Sequence, residues 1–418
     1  TGETITIKVG ELTGSVLADS RPDDGYLQGT QGQQFEIAQA EGGNYEALDT
    51  SSTTSTQVQD DADTVTVQLT ATTSTTEDGG SITYTASLVD AAGKPVTTNN
   101  AITVTLANGE VITIAAGSAS GVSDPVAVNR DDVFLEADSI SNHIESISEA
   151  NAGTTGALEH LEFDATPVQT TITDDADTVT VKLEATQSTG EDGGSITYTA
   201  SLVDAAGKPV TTNNDITVTL ANGEVITIAA GSASAASDPV AVNRDDVFLE
   251  ADSISNHIAS VSEANAGAIG ALEHLVADDT PVKTTILDDS DPVYVQISVD
   301  QSAVFEGGAL VYTVRLVDGN GYPVSVAAGK NVTVTLDWSG AAANGADVNN
   351  LPPTVTIAGG QTAAPSFTVT TLVDTEVEYR EPLTATIAAV QDNGGSNKGF
   401  EDLQISATQS SVSSTVVD

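Results

Sequence analysis

Asp60 to Thr70 reads DDADTVTVQLT, and its two halves make opposite demands. In the second half Val65, Val67 and Leu69 alternate with Thr66, Gln68 and Thr70, so an extended chain puts apolar side chains on one face and polar ones on the other. That is a half-buried strand. The first half packs three carboxylates into four residues, and charges so crowded repel unless water or a cation separates them. The eight residues DDADTVTV return as Asp174 to Val181, so an acidic knot leading into a strand is a recurring unit.

Outward from this stretch the apolar period remains 2. Ile82, Tyr84, Ala86 and Leu88 alternate with polar neighbours, as do Ile102, Val104 and Leu106. Ala107-Asn108-Gly109-Glu110 joins two such runs, and Asn-Gly predicts a tight hairpin because both residues tolerate positive φ. Further strands are expected near Pro125–Val128, Ile140–Ile147 and Pro167–Ile172. About seven strands in about 110 residues is the pattern of an immunoglobulin-like β-sandwich. Thr, Val, Gly and Asp dominate and no long stretch has a helical period, so the fold class is all-β.

Internal repetition sets the domain plan. Residues 60–173 realign without gaps on 174–287, 114 residues later, with about 85% of positions identical. A divergent third copy, 288–418, keeps Tyr312, Leu316, Val317 and Asp318 in register with Tyr198, Leu202, Val203 and Asp204 and departs after Val334. Residues 1–59 align only with the later part of a copy, Thr4–Ile7 matching Val111–Ile114 and Asp23-Asp24 matching Asp131-Asp132. A marker recurs before each linker position: Tyr45-Glu46-Ala47-Leu48, Leu158-Glu159-His160-Leu161, Leu272-Glu273-His274-Leu275 and Phe400-Glu401-Asp402-Leu403. The expectation is three tandem sandwiches in an elongated array, preceded by a partial one whose Ile5, Ile7, Val9 and Phe35 need a partner or a neighbouring domain to cover them.

Composition narrows the partners. Sixty acidic residues against 12 basic ones give a formal charge of −48 over 418 residues, which repels nucleic acid and anionic membrane and attracts cations. No apolar run approaches a membrane span, so direct membrane insertion is not expected. Without cysteine there is no disulfide framework and no thiolate site. Methionine is absent even at position 1, which points to an excised or processed piece of a longer chain.

Alternating strand direction places the loops after the first, third and fifth strands at the pole beside the next linker. For the copy from Asp60 that pole gathers Glu77, Asp78, Asp131, Asp132 and Glu136 with linker Asp174, Asp175 and Asp177. The next copy repeats it with Glu191, Asp192, Asp245, Asp246, Glu250 and linker Asp288, Asp289 and Asp291. Asp60, Asp61 and Asp63 form the first linker, and Glu306 lies in the first loop of the third copy. Calcium takes six to eight oxygen ligands, and aspartate-rich loops converging from two domains supply them. The competing reading is that these acids are simply solvated, which keeps a long chain soluble and blocks edge-to-edge pairing; acids dispersed over the surface would do that equally well.

Catalytic readings are weaker. The four histidines are two repeat-related pairs, His143 with His257 and His160 with His274, better read as strand or loop residues than as zinc ligands or triad members. Glu77-Asp78 lacks an aromatic-walled cleft, aromatics being only 4% of the chain. Trp338, the sole tryptophan, reads as a packing residue before a sugar platform.

Ile82–Asp90, Val104–Glu110 and Ile112–Gly117, with the Leu-Glu-His-Leu marker and the closing TPVQTTITDD, resemble the extender repeats of LapA-like, RTX-type biofilm adhesins. The third copy, with Phe305-Glu306-Gly307-Gly308 and Asn344-Gly345-Ala346-Asp347, is similar to Calx-beta-type relatives of the same sandwich class. The resemblance implies a non-enzymatic extracellular protein on a Gram-negative bacterial cell surface, exported by type I secretion. Calcium at its domain junctions would stiffen it, and it would carry a distal region that binds a surface ligand. The family's linker ligands fall on Asp61, Asp63, Asp175, Asp177, Asp289 and Asp291, with Pro292 replacing the threonine of the third linker and Phe305 aligned on Glu191. A spacer suits near-identical copies, each adding roughly 35 to 45 Å. The alternative is a glycan- or protein-binding module centred on 288–418.

Overall fold

The computed structural model describes residues 2–377 and 379–418. The protein is all-β, a tandem of immunoglobulin-like sandwiches, and the single helical element among the described residues is the 3-10 turn Ala341–Asn344. Two compact units form, Thr1–Asp177 with Gly267–His274, and Thr178–Ala266 with Leu275–Asp418.

The first unit opens with an antiparallel pair, β1 (Gln31–Glu36) and β2 (Thr53–Val58). Its sandwich follows: β3 (Thr64–Ala71), β4 (Ser74–Thr76), β5 (Ser81–Ile82), β6 (Tyr84–Asp90), β7 (Ile102–Leu106), β8 (Val111–Ile114), β9 (Ser120–Val122), β10 (Val126–Ala127), β11 (Ser139–Asn142), β12 (Ile144–Glu149), β13 (His160–Phe163) and β14 (Val168–Thr173). One sheet runs β13-β3-β6-β9. The other face is β4-β14-β11 and β12-β7-β8, with only His143 between β11 and β12. Between them lie Val65, Val67, Leu69, Ile82, Tyr84, Leu88, Val104 and Leu106, all buried. Each such aliphatic side chain contributes about 1.5–3 kcal/mol when fully buried.

Three local expectations change. The strands are shorter and more numerous than seven, because β4, β9 and β13 lack an alternating run long enough to read. β13 and β14 close the sandwich by pairing parallel to β3 and β4. The β7–β8 hairpin has a three-residue loop: Gly109 N–H donates to Leu106 O at 2.9 Å, and only Gly109 takes the left-handed conformation (φ +88°). Asn108 instead turns its side chain onto the Glu110 N–H at 3.1 Å. In the partial copy, Thr4–Ile7 form no strand. Ile5, Ile7 and Val9 stay 55%, 59% and 108% exposed, since residues 2–59 hold no counterpart of β7 to pair with them. Phe35 is half-buried.

In the second unit the strands from Thr178–Ala185 to Val282–Leu287 repeat these sheets with Tyr198 in the core position of Tyr84. The last sandwich has two five-stranded sheets and a larger core. Trp338 is half-buried, stands edge-on to Tyr312 at 5.1 Å and donates its Nε1–H to Pro352 O at 3.0 Å, so it packs the sandwich. Three residues, Asp300–Ser302, connect strands there where Thr186-Gln187 suffice in the preceding copy. This insertion shifts the register. Phe305 pairs with Val417 as Gly190 pairs with Leu287, so Glu306, not Phe305, takes the place of Glu191.

Candidate metal centres

Parallel pairing of β4 with β14 brings the first loop of the sandwich beside the linker that leaves it. Glu77 N–H donates to Thr173 O at 3.2 Å. The chain must then turn sharply: Gly79 has φ +66°, and a Cβ on Gly80 would lie 2.2 Å from Thr76 O. Only glycine fits there. Glu77 is thereby held at the joint, 1% exposed, its Oε1 accepting the Asp175 N–H at 3.1 Å.

The linker aspartates have separate roles. Asp174 Oδ2 accepts the Glu136 N–H at 2.6 Å, and Asp177 N–H donates to Glu273 Oε2 at 2.6 Å. The Asp131-Asp132 pair divides too. Asp132 Oδ1 accepts the Phe134 N–H at 2.7 Å and shapes its own loop, while Asp131 joins the linker. Carboxylate oxygens of Glu77, Asp175 and Glu273 lie within 4.8 Å of one another, as do those of Asp131, Asp175 and Asp177. Asp175 belongs to both trios.

This crowding shows in the proton affinities. Burial pushes Glu77 up to about 7, with the charges of Glu273, Asp174 and Asp132 adding to the rise. Glu273 and Asp177 are raised chiefly by burial as well, Asp177 also by Asp131, Asp175, Asp78 and Asp132. Glu136 is raised first by the neighbouring Asp132 charge. Asp174 Oδ1 and Glu273 Oε1 are buried and accept no hydrogen bond. Anionic oxygens in that state cost stability unless a cation meets them. The donor set is all oxygen, and oxygens no more than 4.8 Å apart are close enough for one ion to reach each at a Ca–O distance of roughly 2.4 Å. These residues fit a calcium ion.

The Asp288 joint repeats the design within the second unit. Glu191 accepts the Asp289 N–H at 3.0 Å, Asp288 accepts the Glu250 N–H at 2.8 Å, and Asp291 N–H donates to Glu401 Oε2 at 2.8 Å. The trios are Glu191, Asp288 and Glu401, and Asp245, Asp289 and Asp291. Burial pushes Glu401 up to about 7, helped by its contact with Glu191, which two carboxylates keep only by sharing a proton or a cation. Asp291 is raised by burial and then by Asp245, Asp289 and Asp192. Asp246 Oδ1 accepts the Phe248 N–H at 2.7 Å, and Glu250 pairs with Lys398.

At the Asp60 joint one trio forms, Asp23, Asp61 and Asp63. Asp60 is taken by Arg21 and by the N–H groups of Gln28 at 2.8 Å and Gly29 at 2.7 Å, and Asp63 N–H donates to Glu159 at 2.8 Å. Glu306 belongs to none of these joints. It lies with Asp374 and Asp418, whose carboxylates raise it, at the pole its shifted register dictates. The four histidines are exposed.

Sequence reading missed Asp23 as a member of the first trio, and it missed Glu159, Glu273 and Glu401. Those glutamates occupy the second position of the recurring marker. An acid at one position of a motif that precedes every linker is the signal that identifies them.

The LapA domain family model matches residues 1–61, 63–175 and 177–289, its breaks falling inside the acidic linkers. No curated protein matches the chain significantly. Among solved structures, the Escherichia coli adhesin FdeC is 16% identical over 82% of this chain and 97% of its own, with a TM-score of 0.23. The bacterial integrin-binding protein invasin is 17% identical over 81% of this chain and 60% of its own, with a TM-score of 0.25. CBD12 from CALX1.2 is 11% identical over 56% of this chain and 99% of its own, with a TM-score of 0.21. Superpositions this loose carry nothing about the function of this chain.

Proposed function

The chain belongs to the LapA domain family, and on that premise we propose that it is a structural extender segment of a bacterial cell-surface adhesin, stiffened by calcium at the joints between sandwiches. The observation that carries this reading is the set of buried, donorless carboxylate oxygens at the joints: Glu273 Oε1 and Glu401 Oε1 inside acidic trios, and Asp174 Oδ1, whose carboxylate acts on Glu77 and Glu273 from beside one. Bound calcium would neutralise these charges and tie each linker to both of its neighbours. Glu77, Asp131, Asp175, Asp177 and Glu273 would hold it at one joint, and Glu191, Asp245, Asp288, Asp289, Asp291 and Glu401 at the next. Asp23, Asp61 and Asp63 would form a shallower third site.

On this reading the segment acts outside the cell, as a non-catalytic spacer that keeps a distal ligand-binding region away from the surface. Repetition of one domain suits that role because each copy only adds length. Calcium titration by calorimetry tests it, joined to melting and small-angle scattering in EDTA. Calcium uptake at the two buried joints and a lower melting temperature with altered scattering dimensions on chelation are expected. A flat titration, with melting and scattering indifferent to EDTA, would overturn it.

A further inference from the structure

Each joint contains a second contact, made between main chains. The sequence Asp-Asp-x-aromatic-Leu occurs as Asp23–Leu27, Asp131–Leu135 and Asp245–Leu249. In all three, the second aspartate accepts the N–H of the aromatic residue: Asp24 from Tyr26 at 3.0 Å, Asp132 from Phe134 at 2.7 Å and Asp246 from Phe248 at 2.7 Å. The loop is thus folded by its own side chain. Its tip then pairs in antiparallel fashion with a marker segment later in the chain, Tyr26 with Leu158, Phe134 with Leu272 and Phe248 with Phe400.

The main-chain bonds are the same at every joint. Leu249 N–H donates to Gly399 O at 2.8 Å, Lys398 N–H to Leu249 O at 2.8 Å, and Glu401 N–H to Val247 O at 3.1 Å. Leu135, Gly270 and Glu273 donate the equivalent bonds at 2.8, 2.8 and 3.0 Å, and Leu27, Gly156 and Glu159 at 2.8, 2.7 and 3.0 Å. The aromatic tip also joins the receiving core. Val247 and Phe248 pack against the core of the last sandwich, Phe248 stacking on Phe400 at 5.2 Å, and Tyr26 packs against the core that contains Val65 and Leu158.

We propose that this loop is a docking finger whose partner is the Leu-Glu or Phe-Glu edge of the sandwich that follows it in the chain. Main-chain strand addition supplies the hold, and packing of the aromatic tip against the receiving core anchors it. The glutamate of the marker donates its own N–H to the finger, so docking delivers Glu159, Glu273 or Glu401 to the acidic cluster before an ion arrives. The main-chain bonds of the finger use no carboxylate, while Asp23, Asp131 and Asp245 at its start belong to trios and Asp288 caps the end of the last one, so the test separates the two contacts by removing the ion.

Hydrogen exchange on the full chain, with calcium and in excess EDTA, tests it. In the parent, the amides of Leu249, Lys398 and Glu401 should exchange at least tenfold more slowly than free loop amides in both conditions. Phe248→Ala should abolish that protection at its own joint, leaving Leu135, Gly270 and Glu273 protected; Phe248→Leu, which keeps an apolar tip, should retain most of it. Slow exchange at Tyr312 and Val334 confirms that the last sandwich is folded in each variant. Loss of parental protection in EDTA would show that the ion, not the finger, does the docking, and full protection in Phe248→Ala would show that the aromatic is not the anchor; either overturns the proposal. Failure of calcium to bind at all leaves the expected protection unchanged, so the two readings fail separately.

Discussion

The joint at Asp174–Asp177 and the joint at Asp60–Asp63 share a plan and differ in depth. In both, the first aspartate caps the end of the finger loop and the third donates its N–H to a marker glutamate. Only the later joint receives a buried carboxylate from a preceding first loop, Glu77, and with it a second trio. At the earlier one Asp60 is paired with Arg21, and the remaining three aspartates are exposed or half-buried. Water relieves repulsion between exposed acids at little cost, whereas a buried acid has lost that option. Charge count alone does not make a cation site. On the proposed reading, one desolvated carboxylate separates the deeper cation site from the shallower acidic cluster.

Removing that carboxylate is the largest break. Glu77→Ala should lower calcium affinity at the Asp174 joint about a hundredfold, or about 2.7 kcal/mol, while leaving the Asp60 joint unaltered in calorimetry. An equal loss at both would mean that depth is not what distinguishes them. Next, Asp175→Asn with Asp177→Asn should weaken binding more than Asp61→Asn with Asp63→Asn, by about tenfold, since Asp175 serves two trios. If the Asp175/Asp177 pair instead raises stability without changing calcium uptake, the acids are merely solvated.

A pH series sharpens the same contrast. Glu77 is raised from its ordinary 4.5 to about 7 by burial, so the folded state holds its proton more tightly than the unfolded one. Its contribution to the ion-free protein is therefore fully present below about pH 4.5 and is lost as pH rises through about 7. Melting in EDTA should fall across that window, calcium should restore it above pH 7 and do little near pH 5, and Glu77→Gln should flatten the ion-free profile. A melting temperature in EDTA that rises from pH 5 to pH 8 would contradict this assignment. The smallest effect belongs to the open part of the partial copy: Ile5→Ser with Ile7→Ser should change stability by no more than about 0.5 kcal/mol, as read by denaturant unfolding.

Alternation in Val65–Leu69, Tyr84–Leu88 and Ile102–Leu106 needed only local chemistry to be read, because a strand with one buried face must place an apolar residue at every second position. The tandem plan and the gathering of acids at one pole were legible as well, since repeats and strand direction are linear properties of the chain. Tertiary structure alone decided the division of labour inside the pole. Asp131 and Asp132 are neighbours of one type, yet one shapes a turn and the other faces the linker, and nothing in their order says which. Glu273 and Glu401 reach their clusters through a backbone pairing with loops about 140 to 150 residues earlier in sequence, and Glu306, not Phe305, takes the place of Glu191 because one extra residue before Ala303 moved a whole strand by one register step. Such contacts depend on where loops meet in space, where a single residue of offset exchanges an exposed position for a buried one.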